Sequence, residues 1–399
     1  MSMRCGRFLS GLAALSIAMG VPFLARSGEV RSAKPAGATS VPLATEDRVQ
    51  LPGWWPTKGT ASRDEFLGPD ACEPCHASKV RTQTQTPMAR AALRPSDSDA
   101  LRTHDQLTFS LSPYTYQISR QENGSLYSVT DGKQTISVPV SWAFGLGQSG
   151  QTYVLERNST FYESRVSYFP AVDGLDSTPG QSGAAPATLE DALGRSMLYA
   201  GETQRCFGCH TTASTANRHF DPSHLIPGVT CEACHGPGAK HVAAMKAEKL
   251  KLGLKSILDP GQLNPVDQVD FCGACHRSYV DVVLSKTLGI RNLRFQPYRL
   301  ERSQCWIKSN NGITCLNCHN PHQPRVRDLA AYDDRCLSCH RPPASTGGHS
   351  AGGHSIKSCT VSTNNCVSCH MPKYEVPGMH AKFTDHFIRI VRKDEGYLD

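Results

Sequence analysis

One five-residue pattern, Cys-x-x-Cys-His, recurs seven times in this chain of 399 residues. The copies run Cys72–His76, Cys206–His210, Cys231–His235, Cys272–His276, Cys315–His319, Cys336–His340 and Cys366–His370. With 17 Cys and 16 His in the sequence, chance placement would give roughly 0.03 such motifs. On a helical turn, positions three and four apart share a face. Each motif therefore presents two thiols and one imidazole together, which is what covalent attachment of haem requires: the thiols add to the vinyl groups and the histidine takes the iron. Zinc ribbons also use Cys-x-x-Cys, but they need two such pairs per metal and no histidine after every second cysteine. The pattern points to seven haems c. The thioether cysteines are then Cys72, Cys75, Cys206, Cys209, Cys231, Cys234, Cys272, Cys275, Cys315, Cys318, Cys336, Cys339, Cys366 and Cys369. The proximal ligands are His76, His210, His235, His276, His319, His340 and His370.

Three cysteines lie outside the motifs. Cys5 precedes an apolar leader, and Cys305 and Cys359 are left either to pair in an oxidising compartment or to stay as thiols. Arg4 and Arg7, the apolar run Phe8 to Ala25, and Ala25-Arg26-Ser27 read as an export signal over 1–27. An uncleaved N-terminal membrane anchor is the alternative. Periplasmic or otherwise exported localisation follows from either reading and agrees with haem attachment outside the cytoplasm.

The formal charge of +7 does not imply nucleic acid. The leader carries off Arg4, Arg7 and Arg26, and each ferric haem with two ionised propionates adds roughly −1. The oxidised protein then stands near about −3, so the basic residues serve to neutralise propionates.

Residues 28–62 read as an Ala/Pro/Ser/Thr linker and 63–104 as the first haem segment. Strand alternation follows in the runs that begin at Tyr114, Ser125, Thr135, Gln151 and Thr160, with the hairpin dipeptides Asn123-Gly124 and Asp131-Gly132 between the first three. This gives a β-rich insert over 105–200 that sets the first haem apart from the rest. The remaining six motifs crowd into 201–399, their first cysteines 25, 41, 43, 21 and 30 residues apart, which leaves one or two helices per haem. Lys240 to Ile257 reads as one continuous helix with a lysine-rich solvated face. The expected fold is mainly α and irregular, packed around haem, with a small antiparallel β insert.

Nine histidines remain outside the motifs: His104, His219, His224, His241, His322, His349, His354, His380 and His386. They compete for the far sides of the irons. His322 is too near His319 to reach round the same haem and should serve a neighbour. His380 and His386 sit at a near-helical separation and reach back to earlier haems. His224 and His354 are further candidates, and Met88 would give one haem a higher potential than bis-histidine ligation.

Several stretches resemble multihaem cytochromes c of the cytochrome c-554 and doubled-CxxCH family. They are Gly68 to His76, Gly228 to Gly238, Cys315 to His322, and Cys366-Val-Ser-Cys-His-Met-Pro-Lys through His386. The resemblance implies stacked haems that pass electrons, and distal roles for His241, His322 and His386. Seven motifs rather than that protein's four, and the β insert, depart from it. The expected function is an exported heptahaem electron relay between redox partners, other redox proteins or a membrane quinol/cytochrome complex. The alternatives are a multihaem oxidoreductase with one open iron acting on a nitrogen or sulfur oxyanion, and a haem subunit of a larger respiratory complex.

Overall fold

The computed structural model describes residues 61–198, 200–216, 219–223, 225–340 and 359–399. The leader, nearly all of the linker, His224, His349 and His354 lie outside these residues, and only the backbone of His219 is described.

Strong alternation between Tyr114 and Thr130 builds the centre of the molecule. In β3 (Tyr114–Gln121) Tyr114, Tyr116 and Ile118 point inward; in β4 (Gly124–Thr130) Tyr127 and Val129 do. The side-chain period of two puts each set on one face. These strands belong to a meander ordered β2 (Gln106–Leu111), β3, β4, β5 (Thr135–Phe144), β6 (Gln151–Arg157), β7 (Thr160–Phe169), β8 (Gly174–Ser177), antiparallel throughout. The Asp131 carboxylate accepts from the amides of Lys133 and Gln134 and so shapes the β4–β5 turn. β1 (Ala92–Leu93) pairs with β5, and β9 (Gly194–Ser196) pairs with β7. β8 returns beside β2, so the sheet closes on itself as a near-complete barrel.

The interior is filled by Leu107, Tyr116, Ile118, Tyr127, Val138, Val140, Tyr153, Leu155, Val166 and neighbours. A bulge between Val140 and Trp142 changes which face β5 presents. Val140 stays in the barrel core, while Trp142 joins a second cluster with Ala92, Val154, Met197 and Phe207. Phe207 lies in the second motif, so this bulge builds the seat on which that motif rests.

The expectation of a mainly α chain with a small insert is therefore corrected: a nine-stranded sheet spanning Ala92 to Ser196 is the largest structural element. The 105–200 insert covers β2, β8 and β9, but the alternating runs begin only at Tyr114 and mark none of β1, β2, β8 and β9 as strands. Three of these four are too short to show alternation. The motif helices after Ala200 run only from four residues (Cys315–Cys318) to twelve (Pro265–His276). Lys240 to Ile257 is not one helix either. It breaks where Glu248 takes a left-handed φ of 57°, leaving Ala239–Lys246 and Leu250–Lys255 folded against each other.

The first motif does not stand apart. Chain 61–91 leaves the barrel and docks on the third motif. Leu67 and Gly68 donate their amides to Glu232, and Gln83 donates to the Val229 carbonyl. The Val229 amide donates to the Met88 carbonyl at 2.8 Å. Gly228 makes that joint, with φ of 74° and a position at which a Cβ would fall 1.8 Å from the Ala89 carbonyl oxygen. Only glycine fits there.

Candidate haem sites

Each motif is a short helix or helix end, so its cysteines and histidine project together. None of the motif cysteines is bridged to another, and Cys305 and Cys359 form no disulfide. Cys305 sits between the fifth and sixth motifs, where burial pushes its thiol up and Cys339 adds to the effect.

The imidazoles are prepared as ligands by the backbone. The Nδ1 atoms of His210, His235 and His370 meet the carbonyls of Ala91, Leu258 and Arg389 at 2.9, 2.7 and 2.8 Å. His241 and His386 meet those of Gly253 and Thr384 at 2.9 and 3.2 Å. A carbonyl only accepts, so Nδ1 carries the proton and Nε2 is bare, the tautomer that metal ligation needs. Burial also holds His210, His276, His319 and His322 below the ordinary histidine range, and His386 falls to about 4. These rings are neutral at neutral pH.

Three motif histidines face a second histidine from elsewhere in the chain. His76 and His241 have ring centres 6.4 Å apart and planes inclined by 26°. His235 and His322 are 5.9 Å apart at 9°, and His319 and His386 are 6.2 Å apart at 39°. Metal–nitrogen bonds of about 2 Å, plus about 1.1 Å from nitrogen to ring centre, set two rings on one metal about 6 Å apart. The spacing fits an iron between each pair. His322 faces the histidine of the third motif, not that of its own.

The other candidates are engaged differently. His380 places Nε2 2.7 Å from Asp176 on β8 and its ring edge on Phe169. Its segment is extended and turned rather than helical, so the near-helical reading of His380 and His386 is corrected. His104 is held by the Ala100 carbonyl and Asp173. Met88 contributes its carbonyl to the joint with Val229, and the ring opposite His76 is that of His241.

Contacts between motifs order them in space. The Cys72 and Cys231 thiols hydrogen-bond, which raises the former and lowers the latter to about 7. Cys272 and Cys315 do the same, with Cys234 close enough to push Cys272 further up. Cys336 lies near Cys318 and Cys366. Once the sulfurs are alkylated no proton remains to shift, but the proximity does. The order is first, third, fourth, fifth, sixth, seventh. The second motif branches off against the fourth, with Cys209 Sγ 3.8 Å from the Ala274 carbonyl and His210 beside His276.

Residues outside the motif pattern hold this order. Glu232, buried within the third motif, accepts the amides of Leu67, Gly68 and Gly238 at 2.9, 2.8 and 2.7 Å. Asp385, fully buried, accepts from Arg299 Nε and Nη2 at 2.9 and 2.8 Å and from Arg389 at 3.2 Å. That clamp fixes the residue preceding His386. Asp333 takes the amides of Asn365 and Cys366 and joins the last two motifs. The sequence carries no signal for the Arg299–Asp385 pairing, 86 positions apart. Glu232 was visible only as one of the two variable motif positions.

Residues 184–236 match the family model described as cytochrome c554 and c-prime. The multiheme cytochrome MtrA of Shewanella baltica (strain OS185) is 26% identical over 191 residues, 39% of this chain and 57% of that protein. The chain thus matches less than two thirds of that relative's length. The outer cell wall cytochrome OcwA has 15% identity and a TM-score of 0.47, covering 82% of this chain and 80% of that one. The undecaheme cytochrome from the S-layer of Carboxydothermus ferrireducens has 15% identity and a TM-score of 0.42, covering 84% and 53%. With the seven motifs, the family match and the likeness to a multihaem cytochrome support the recognition of this chain as a multihaem cytochrome c.

Proposed function

We propose that the protein is an exported electron carrier holding seven haems c, and that it relays electrons between redox partners. The observation that supports this best is the set of three histidine pairs at iron-spanning separation, set within a continuous series of adjoining motifs. Bound haem supplies a reversible one-electron couple. The chain's part is to anchor each group by two thioethers, to offer bare Nε2 atoms, and to hold neighbouring sites close. His241, His322 and His386 are the distal ligands for the first, third and fifth motifs. Paired ligation closes those irons to substrate, which favours transfer over catalysis. No helix among the described residues is long and apolar enough to cross a membrane, and the partners are redox proteins or a membrane quinol/cytochrome complex.

Pyridine-haemochrome quantitation of the purified protein should give seven haems per chain, and fewer than six overturns the relay. Electron paramagnetic resonance of the oxidised protein should show low-spin iron. A dominant high-spin signal that responds to nitrite, hydroxylamine or sulfite would favour an oxyanion-reducing enzyme instead.

A further inference from the structure

The helices Ala239–Lys246 and Leu250–Lys255 form a hairpin that does two things at once. Its inner helix carries His241 opposite His76, at the first-motif end of the array. Its outer helix packs only through Gly253, where a Cβ would meet Met245 Sδ at 2.5 Å. Everything else on that helix turns outward: Leu250, Leu252 and Leu254 are 57%, 54% and 61% exposed, and Met245 on the neighbouring helix is 37% exposed. Lys246, Lys249, Lys251 and Lys255 stand among them, all exposed, with Glu248 as the one acid between Ala239 and Lys255. No carboxylate pairs with these four lysines among the described residues, whereas Lys240 is paired with Glu65 at 2.9 Å.

His241 Nδ1 points back at the Gly253 carbonyl, so its Nε2, where iron would bind, points away from the outer helix.

We propose that this hairpin docks the first-motif end of the protein on an anionic lipid surface. The chemistry of the patch selects that partner. Exposed leucines interleaved with lysines are what interfacial segments use: the apolar side chains enter the acyl boundary while the cations sit among anionic headgroups. Protein-binding patches favour Tyr, Trp and Arg and are depleted in Lys, and this patch has none of those three. The docking leaves the first-motif site next to the membrane, where a membrane-bound redox partner operates.

The test is flotation of the haem-loaded protein with vesicles of phosphatidylcholine alone and of phosphatidylcholine with phosphatidylglycerol. The native protein should bind the anionic vesicles, and binding should fall with added salt. The variants L250S/L252S/L254S and K249Q/K251Q/K255Q should each bind at least about tenfold more weakly, with unchanged haem absorption as the check on folding. Binding is scored as the excess on anionic over phosphatidylcholine vesicles, which cancels any contribution of a retained apolar leader, since that would hold native protein and variants equally to both. Native-like binding by both variants, or no binding of native protein to anionic vesicles, overturns the proposal. So does a native dimer, seen by light scattering, that L250S/L252S/L254S abolishes, because the face would then belong to a second copy.

Discussion

A histidine serves iron only with a bare nitrogen aimed at it, and here the backbone does the aiming. A carbonyl fixes Nδ1 of His235, so the ring opposite it, His322, can be removed without disturbing the motif that holds the haem. Replacing His322 with Ala should convert one low-spin signal to high-spin while the haem count stays at seven, and added imidazole should restore it. Electron paramagnetic resonance reads both spin changes, and pyridine-haemochrome quantitation reads the count. The pH dependence has a definite sign. Burial holds His210, His276, His319, His322 and His386 below their unfolded values, the last at about 4. Between the unfolded pKa of about 6.5 and the depressed folded values, the unfolded chain binds protons that the folded chain does not. Stability should therefore be full above about pH 6.5 and fall as pH drops toward 4, in step with loss of the low-spin spectrum in an acid titration. At this scale the motif residues were legible because their spacing is local. For His322 and His386 spacing showed only that each serves some other haem, and the resemblance added His241 to them; which motif each faces was not legible, since what brings each ring to its partner is a tertiary contact.

Elements are held to one another by a few buried carboxylates. Glu232 satisfies amides on its own segment and on one 164 positions away in sequence. Its truncation to Ala leaves Leu67, Gly68 and Gly238 without acceptors, and hydrogen bonds to charge contribute about 1.5–3 kcal/mol each. Glu232→Ala should lower stability by about 3 kcal/mol and selectively disturb the first-motif haem, where His76 and His241 must stay facing. Denaturant unfolding followed at the haem band, with the low-spin signals as a second readout, measures both. Asp385→Asn strands Arg299 in a fully buried site, and breaking a buried pair costs about 3–5 kcal/mol. It should also release His386 from His319, a loss that a purely structural residue would not cause. Strands such as β3 and β4 were readable because buried and exposed side chains alternate along them. The hairpin at Glu248 was not, because Lys240 to Ile257 is helical in composition throughout and a left-handed glutamate has no signature. Nor could the sequence show that the first motif folds back on the third, because Glu232 reads there only as a variable motif position.

The whole molecule is two kinds of core joined. The barrel is filled by side chains, among them Tyr116, Tyr127, Tyr153, Leu155 and Val166, all essentially inaccessible. Beyond Ala200 the side-chain clusters are small. One is Val269, Leu300 and Trp306, and another is Leu293, Val376 and Met379, with only partly buried neighbours. Haem macrocycles are large and apolar, and burying them is what would compensate the ordering entropy of that half. Covalent attachment matters for a second reason. The motifs that adjoin are not always consecutive, and the first meets the third across the whole barrel. Those pairings carry a loop-closure cost that short helices with few side-chain contacts do not offset. The barrel has no such dependence, since each strand from β2 to β8 pairs with its neighbour in sequence. The full chain made without haem should therefore keep the barrel and lose the rest. Hydrogen exchange should show slow amides confined to about residues 106–177, the span of β2 to β8. Limited proteolysis should leave a resistant fragment of that region and digest the stretch from the third to the seventh motif. In the haem-loaded protein the same stretch should be protected. Slow-exchanging amides between Cys231 and His340 in the haem-free chain would show that side chains alone fold this half, and would remove the premise that haem is its core.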